Sequence, residues 1–154
     1  MDASPSFTPS SHAEPGCPLC AEPGGHLLWQ DACWRVVRVN DADFPAYYRV
    51  IAREHVREFS DLPGPDRARC MDLVCTLEQV LIAQLRPDKV NLAAFGNMVP
   101  HLHWHVTARF AWDSHFPQPV WGTRQREVAP GAVDRLGMPL HALDATVLHA
   151  LQGL

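Results

Sequence analysis

The sequence predicts an α+β domain: a mainly antiparallel, five-stranded sheet with one long helix and a short C-terminal helix. Three observations predict it. Short runs rich in β-branched and aromatic residues recur between turn residues, the mark of strands joined by hairpins. One stretch, from Asp66, sustains apolar residues at three- and four-residue steps, the mark of an amphipathic helix. The chain has 154 residues and is 47% hydrophobic, enough for one core, and its 19% charged residues do not describe a disordered chain.

The elements follow in order. Residues 1–16, rich in Ser, Pro and Ala, are expected to be a flexible tail. The folded domain is expected over 17–112, and a Pro- and Trp-rich extension with a short helix over 113–154. Leu27–Gln30 and Cys33–Val39 read as two strands across a short turn containing Asp31, and Tyr47–Ala52 as a third after the loop Asn40–Ala46. DLPGPD, Asp61–Asp66, is turn chemistry leading into the long helix, which Pro87 stops. Its apolar stripe runs through Met71, Val74, Cys75, Leu81, Ile82 and Leu85. Leu77 and Val80 fall outside that stripe and read as core, or as a second surface for another subunit. Val90–Phe95 is the fourth strand and His101–Arg109 the fifth, with the loop Gly96–Pro100 between them. His141–Gln152 is the terminal helix.

Charge and cysteine usage bound the function. Thirteen basic residues against seventeen acidic give a net charge of −4, which argues against non-specific binding to nucleic acid or a membrane surface. No run approaches the ~20 apolar residues of a membrane span. Five scattered cysteines are an odd number, and the N-terminal stretch has no basic or apolar segment of a leader. Both fit a reducing, cytoplasmic setting. Cys33, Cys70 and Cys75 sit at apolar positions and read as core filler.

The chemistry concentrates in HLHWHV, His101–Val106. Side chains alternate along a strand, so Leu102, Trp104, Val106 and Ala108 share the core face. His101, His103, His105, Thr107 and Arg109 share the other, with roughly 7 Å between neighbouring histidine Cα atoms. Three readings of that row are open: a polar surface, a metal site, or phosphate chemistry. Imidazole is a common metal ligand, but the following VTARFAWDSH lacks the Glu that a cupin-type site recruits. A neutral imidazole is also a competent nucleophile toward phosphorus, with neighbouring donors to hold the oxygens. CPLC places Cys17 and Cys20 at a C-x2-C spacing that is a metal knuckle, a redox pair or chance. It does not follow a strand, which argues against redox work. A structural zinc would need two more ligands, for which His55 and His101 are the candidates.

GNMVPHLHWHVTARF resembles the signature of the histidine triad (HIT) family, His-φ-His-φ-His-φ-φ with φ apolar. The match is His101-Leu102-His103-Trp104-His105-Val106, with Thr107 at the last position. VIAREHV is similar to the family's VIPKxH element and WRVVRV to the strand before it, so the likeness spans about Cys17 to Arg109.

The resemblance implies a HIT-like fold and a nucleotide hydrolase or nucleotidyl transferase. Its substrate would be a nucleotide conjugate or dinucleoside polyphosphate, attacked at the α-phosphate. His103 would be the nucleophile and carry the nucleotidyl intermediate, and His105 would hold phosphate oxygens. Asn97, in the slot where many members carry Gln, would contact phosphate or leaving group, with Asn91 and Arg109 assisting. His101 would orient the site or join Cys17, Cys20 and His55 on a structural zinc, and the chemistry itself would need no cofactor. Also implied are a small-molecule nucleotide partner and a homodimer, with no nucleic-acid polymer and no membrane. The sequence departs from the family at Gly96-Asn97-Met98, which lacks the hydroxyl found there in many members, and at Thr-Ala-Arg in place of Ile-Pro-Arg. From the residues alone, a metal-dependent enzyme using the histidine row and a non-catalytic nucleotide-binding module stay open.

Overall fold

The structure, a computed structural model, describes residues 5–154. Strands β1 (His26–Gln30), β2 (Trp34–Arg38), β3 (Tyr47–Ala52), β4 (Lys89–Ala93) and β5 (His103–Arg109) form one sheet in the order β1-β2-β3-β5-β4. Every pairing is antiparallel. The turns between the first three strands are built by aspartates. Asp31 accepts the N–H groups of Cys33 and Trp34, and Asp41 those of Asp43 and Phe44, so each carboxylate substitutes for a backbone turn partner.

Among the described residues four α-helices accompany the sheet: the single turns α1 (Pro18–Ala21) and α3 (Ala132–Arg135), the long α2 (Gly64–Leu85) and the terminal α4 (Leu140–Gln152). α2 ends at Arg86, which adopts a left-handed φ of 48° and returns its N–H to the Ile82 carbonyl. Pro87 cannot continue the helix beyond that cap.

The buried face of α2 is Cys70, Leu73, Val74, Leu77, Leu81 and Leu85. It is rotated from the expected stripe, because positions 70, 73, 74, 77 and 81 complete the i, i+3, i+4, i+7, i+11 set that meets the sheet. Cys75 is exposed, Ile82 is 52% exposed, and Leu77 belongs to this chain's own core. Cys33 is exposed as well, so of the three cysteines expected as filler only Cys70 is buried.

The sheet has two different faces. One packs Val36, Tyr48, Val50, Val106 and Ala108 against α2 and α4, and Leu143, Val147 and Leu151 of α4 join that core. Asp144 of α4 is buried and accepts from Arg38 Nε at 2.9 Å and Tyr48 Oη at 3.0 Å, tying the terminal helix to β2 and β3. Leu102, Val106 and Ala108 lie in this core with Trp104 packed against it. The other face is covered near Val37 and Ile51 by Cys17, Leu19 and Cys20 of the N-terminal segment. His101 precedes β5, in a turn whose N–H reaches the Val99 carbonyl. Among the described residues no helix is long and apolar enough to cross a membrane.

Candidate active site and metal centre

Strand pairing assembles the site. His103 lies opposite Ile51, and His105 opposite both Arg49 and Ala93, so odd-numbered side chains of β3 and β5 share the face away from the helices. Above them opens a cleft of about 500 Å³, bordered by His103, His105, Arg49, Asn97, Phe95 and Trp121.

The hydrogen bonds assign each ring a role. His103 Nδ1 sits 2.6 Å from the His101 carbonyl oxygen. A carbonyl only accepts, so Nδ1 carries the proton and Nε2 keeps its lone pair. Burial holds the His103 pKa below its ordinary value, which keeps that lone pair unprotonated near neutrality. His105 Nδ1 lies 2.6 Å from Tyr47 Oη. Burial raises the Tyr47 pKa, so Tyr47 stays a phenol; with its O–H donating to Nδ1, His105 would present an Nε2–H donor to the cleft. Burial, reinforced by His103 and Arg49, pushes His105 down to about 3.

His101 turns elsewhere. It is fully buried and its Nε2 donates to the Ala52 carbonyl at 2.7 Å, which leaves Nδ1 as a free lone pair. That atom lies 3.5 Å from Cys17 Sγ and 3.4 Å from Cys20 Sγ, and His55 Nδ1 is 3.4 Å from Cys20 Sγ. All four ligand atoms fall within 4.8 Å of one another. A tetrahedral zinc with ordinary Zn–S and Zn–N bonds separates S and N by about 3.6 Å. The donor set therefore fits zinc in type, number and spacing, and the Ala52 carbonyl supplies the outer partner that fixes a ligating imidazole.

Cys17 precedes the turn α1 and Cys20 lies within it, and the Cys17 carbonyl receives the N–H groups of Cys20 and Ala21. Arg35 pins this segment, donating to the carbonyls of Leu19, Glu22 and Pro23. Burial raises the Cys20 thiol pKa, an effect a bound cation would reverse by favouring thiolate.

The triad thus divides. One histidine serves the cysteine cluster and two serve the cleft, so the three rings do not converge on a common metal. Of the residues expected beside them, Asn97 borders the cleft. Arg109 and Asn91 do not border it. The buried Arg109 guanidinium is bound by Asp113 at 2.8 and 3.0 Å, Asn91 Oδ1 at 2.8 Å and the Gln118 carbonyl at 2.7 Å. It latches the segment after β5 to the sheet. His115 packs on Phe44, with ring centroids 5.1 Å apart.

Tyr47, Arg49, Phe95 and Trp121 were not expected at the site. The alternation of β3 places Tyr47 and Arg49 on one face, but which face meets the histidines depends on the pairing register. Trp121 comes from an irregular segment with no period to read. It meets His105 edge-on at 4.9 Å and Phe95 at 4.9 Å, and the two apolar rings are 54% and 61% exposed.

The HIT domain family model matches residues 22–111. The chain belongs to the HIT family. Its members are nucleotide-binding proteins, mostly hydrolases and transferases and some non-catalytic. Solved HIT structures share the fold. The chain is similar to a histidine triad protein from Bradyrhizobium japonicum, with a TM-score of 0.68 and 25% identity over 84% of this chain and 92% of that one. A histidine triad protein from Marinobacter aquaeolei gives 0.67 and 28%, covering 86% and 92%. A zinc-bound histidine triad family protein from Mycobacterium smegmatis shares the fold at 0.58 and 17%, covering 90% and 94%. No curated protein matches the sequence. The HIT match ends at Ala111, so Asp113 and Trp121 lie beyond the span it covers.

Proposed function

We propose that this protein hydrolyses, or transfers the nucleotide from, a nucleotide phosphoanhydride or phosphoramidate through a covalent nucleotidyl-histidine on His103. The observation that carries the reading is the 2.6 Å contact of His103 Nδ1 with the His101 carbonyl. It fixes the tautomer that leaves Nε2 nucleophilic. In the first step the Nε2 lone pair forms an N–P bond at the α-phosphorus while the bond to the leaving group breaks, and the leaving group departs with that electron pair and takes up a proton. The nucleotidylated ring is cationic, and its Nδ1–H stays bonded to the same carbonyl, which stabilises the charge as it forms. Water or another hydroxyl acceptor then forms the new bond to phosphorus and gives up its proton as the N–P bond breaks, the electron pair returning to His103 Nε2.

His105 is assigned the phosphate oxygens through Nε2–H, and Asn97 an oxygen at the cleft mouth. Phe95 and Trp121 give the cleft an aromatic wall on which a purine base can lie, which supports a nucleotide over a simple phosphate ester. Cys17, Cys20, His55 and His101 are assigned a structural zinc that anchors the N-terminal segment and the turn holding the His101 carbonyl. A homodimer is also proposed, since Leu92 at the open edge of β4 and Ile82 on α2 are apolar and 40% and 52% exposed.

The test is turnover of adenylated and guanylated conjugates. The wild type is expected to release the nucleoside monophosphate, and His103→Gly to be slower by roughly a thousandfold or more, as for loss of a nucleophile. Nucleotide binding without turnover by the wild type would overturn the reading in favour of a binding module.

A further inference from the structure

Arg49 is unlike the other arginines around the site. Arg35 satisfies three carbonyls of the N-terminal segment, and Arg109 is consumed by Asp113, Asn91 and Gln118. Arg49 borders the cleft, directly opposite His105 in the β3–β5 register. Its Nη1 makes one long bond, 3.3 Å, to the Gly24 carbonyl, and its guanidinium lies 5.6 Å from the centre of the Tyr47 ring. Its Nε is buried with no partner. Among the described residues no carboxylate forms an ion pair with it. A partly buried, delocalised cation with an unused donor, beside two neutral histidines, is short of an anion. The remaining polar side chain of the cleft wall, Asn97, carries no charge to offer it.

We propose that Arg49 is the phosphate-binding cation of the cleft: its Nε–H and a guanidinium N–H hold a phosphate oxygen of the substrate while His103 faces the phosphorus. This rests on the nucleotide reading above and deepens it, because it says where the substrate's negative charge is held. It assigns to β3 the task that the sequence pattern gives to Arg109. Tyr47, on the same face of β3, flanks Arg49 on one side and bonds His105 on the other, so one strand positions both phosphate donors.

The experiment is calorimetric titration of the full chain with AMP and, separately, with adenosine. The two probes share the base and ribose and differ by the phosphate. In Arg49→Gln, AMP affinity is expected to fall about ten- to a hundredfold, the usual worth of a charge-assisted hydrogen bond, while adenosine affinity stays within about twofold. Arg49→Lys, which keeps the charge and loses the planar fork, is expected to lie between the two. Unchanged AMP affinity in Arg49→Gln would overturn the proposal. So would an equal fall for AMP and adenosine, since the arginine would then only hold the Gly24 loop in place. Failure to find a nucleotide on His103 would instead sink the covalent mechanism and leave the phosphate contact standing.

Discussion

At the scale of single residues, the site is a set of imidazoles kept uncharged by burial and sorted by their hydrogen-bond partners. The consequence is a pH-dependent stability. His105 is neutral in the folded chain down to about pH 3, whereas an unfolded histidine titrates near 6.5. Between those values the unfolded chain binds a proton that the folded chain refuses, so stability is full above about 6.5 and is lost as the pH falls toward 3. Asp113, whose burial would raise its carboxyl pKa but is outweighed by Arg109 and three backbone N–H groups that hold it below its ordinary value, loses its contribution in the same direction at lower pH. The expected outcome is a melting temperature that declines as the pH is lowered from about 7.5 to about 5, with a shallower decline in His105→Gln. Equal slopes would show that burial does not hold this ring neutral. The three histidines, both cysteines of CPLC, His55 and Asn97 were legible from spacing and resemblance. Arg109 was expected beside the phosphate and Arg49 was not singled out: both are odd-numbered arginines on strands, and only the three-dimensional partners reveal which one is already paired with a carboxylate.

At the scale of elements, the single turn α1 brings Cys17 and Cys20 to His101, and β3 ends just before His55. Zinc at that junction would tie the N-terminal segment to the end of β3 and to the turn before β5. Cys17→Ser and His55→Ala are expected to lose zinc by elemental analysis, while His103→Ala and His105→Ala retain it. Removing a metal held at a thousandfold excess over its dissociation constant costs ~4 kcal/mol, which for a domain of this size lowers the melting temperature by roughly 10 °C. Zinc lost from the His103 and His105 variants, and kept in the other two, would instead place the metal on the histidine row. Periodicity located α2 and α4 and bounded β3, because those elements carry a full hydrophobic face. It did not find α1 or α3, since four residues are too few for a helical period, and it set the face of α2 wrongly. Apolar residues at Cys75 and Ile82 fit one stripe as well as Leu73 and Leu77 fit another, and only the sheet decides between them.

At the scale of the molecule, the sheet separates stability from chemistry. One face is spent on the core with α2 and α4, and the other carries Tyr47, Arg49, His103 and His105 beneath segments whose regular structure is no more than the single turn α1. The fold class was legible because hairpin turns and one long helix admit few arrangements. The cover over the second face was not. The stretches that provide it, around Cys17 and around Trp121, are rich in Pro and Gly and show no period, so nothing local says what they lie against. The proposed step is a bond from His103 Nε2, freed by the His101 carbonyl, to phosphorus. Intact-protein mass spectrometry after rapid mixing with a panel of nucleotide conjugates and acid-free quenching tests it most directly. The expected result is a mass increase of one nucleotidyl group that maps to His103 and is absent from His103→Gly. Turnover with no such adduct at any mixing time, or an adduct that persists in His103→Gly, would contradict it.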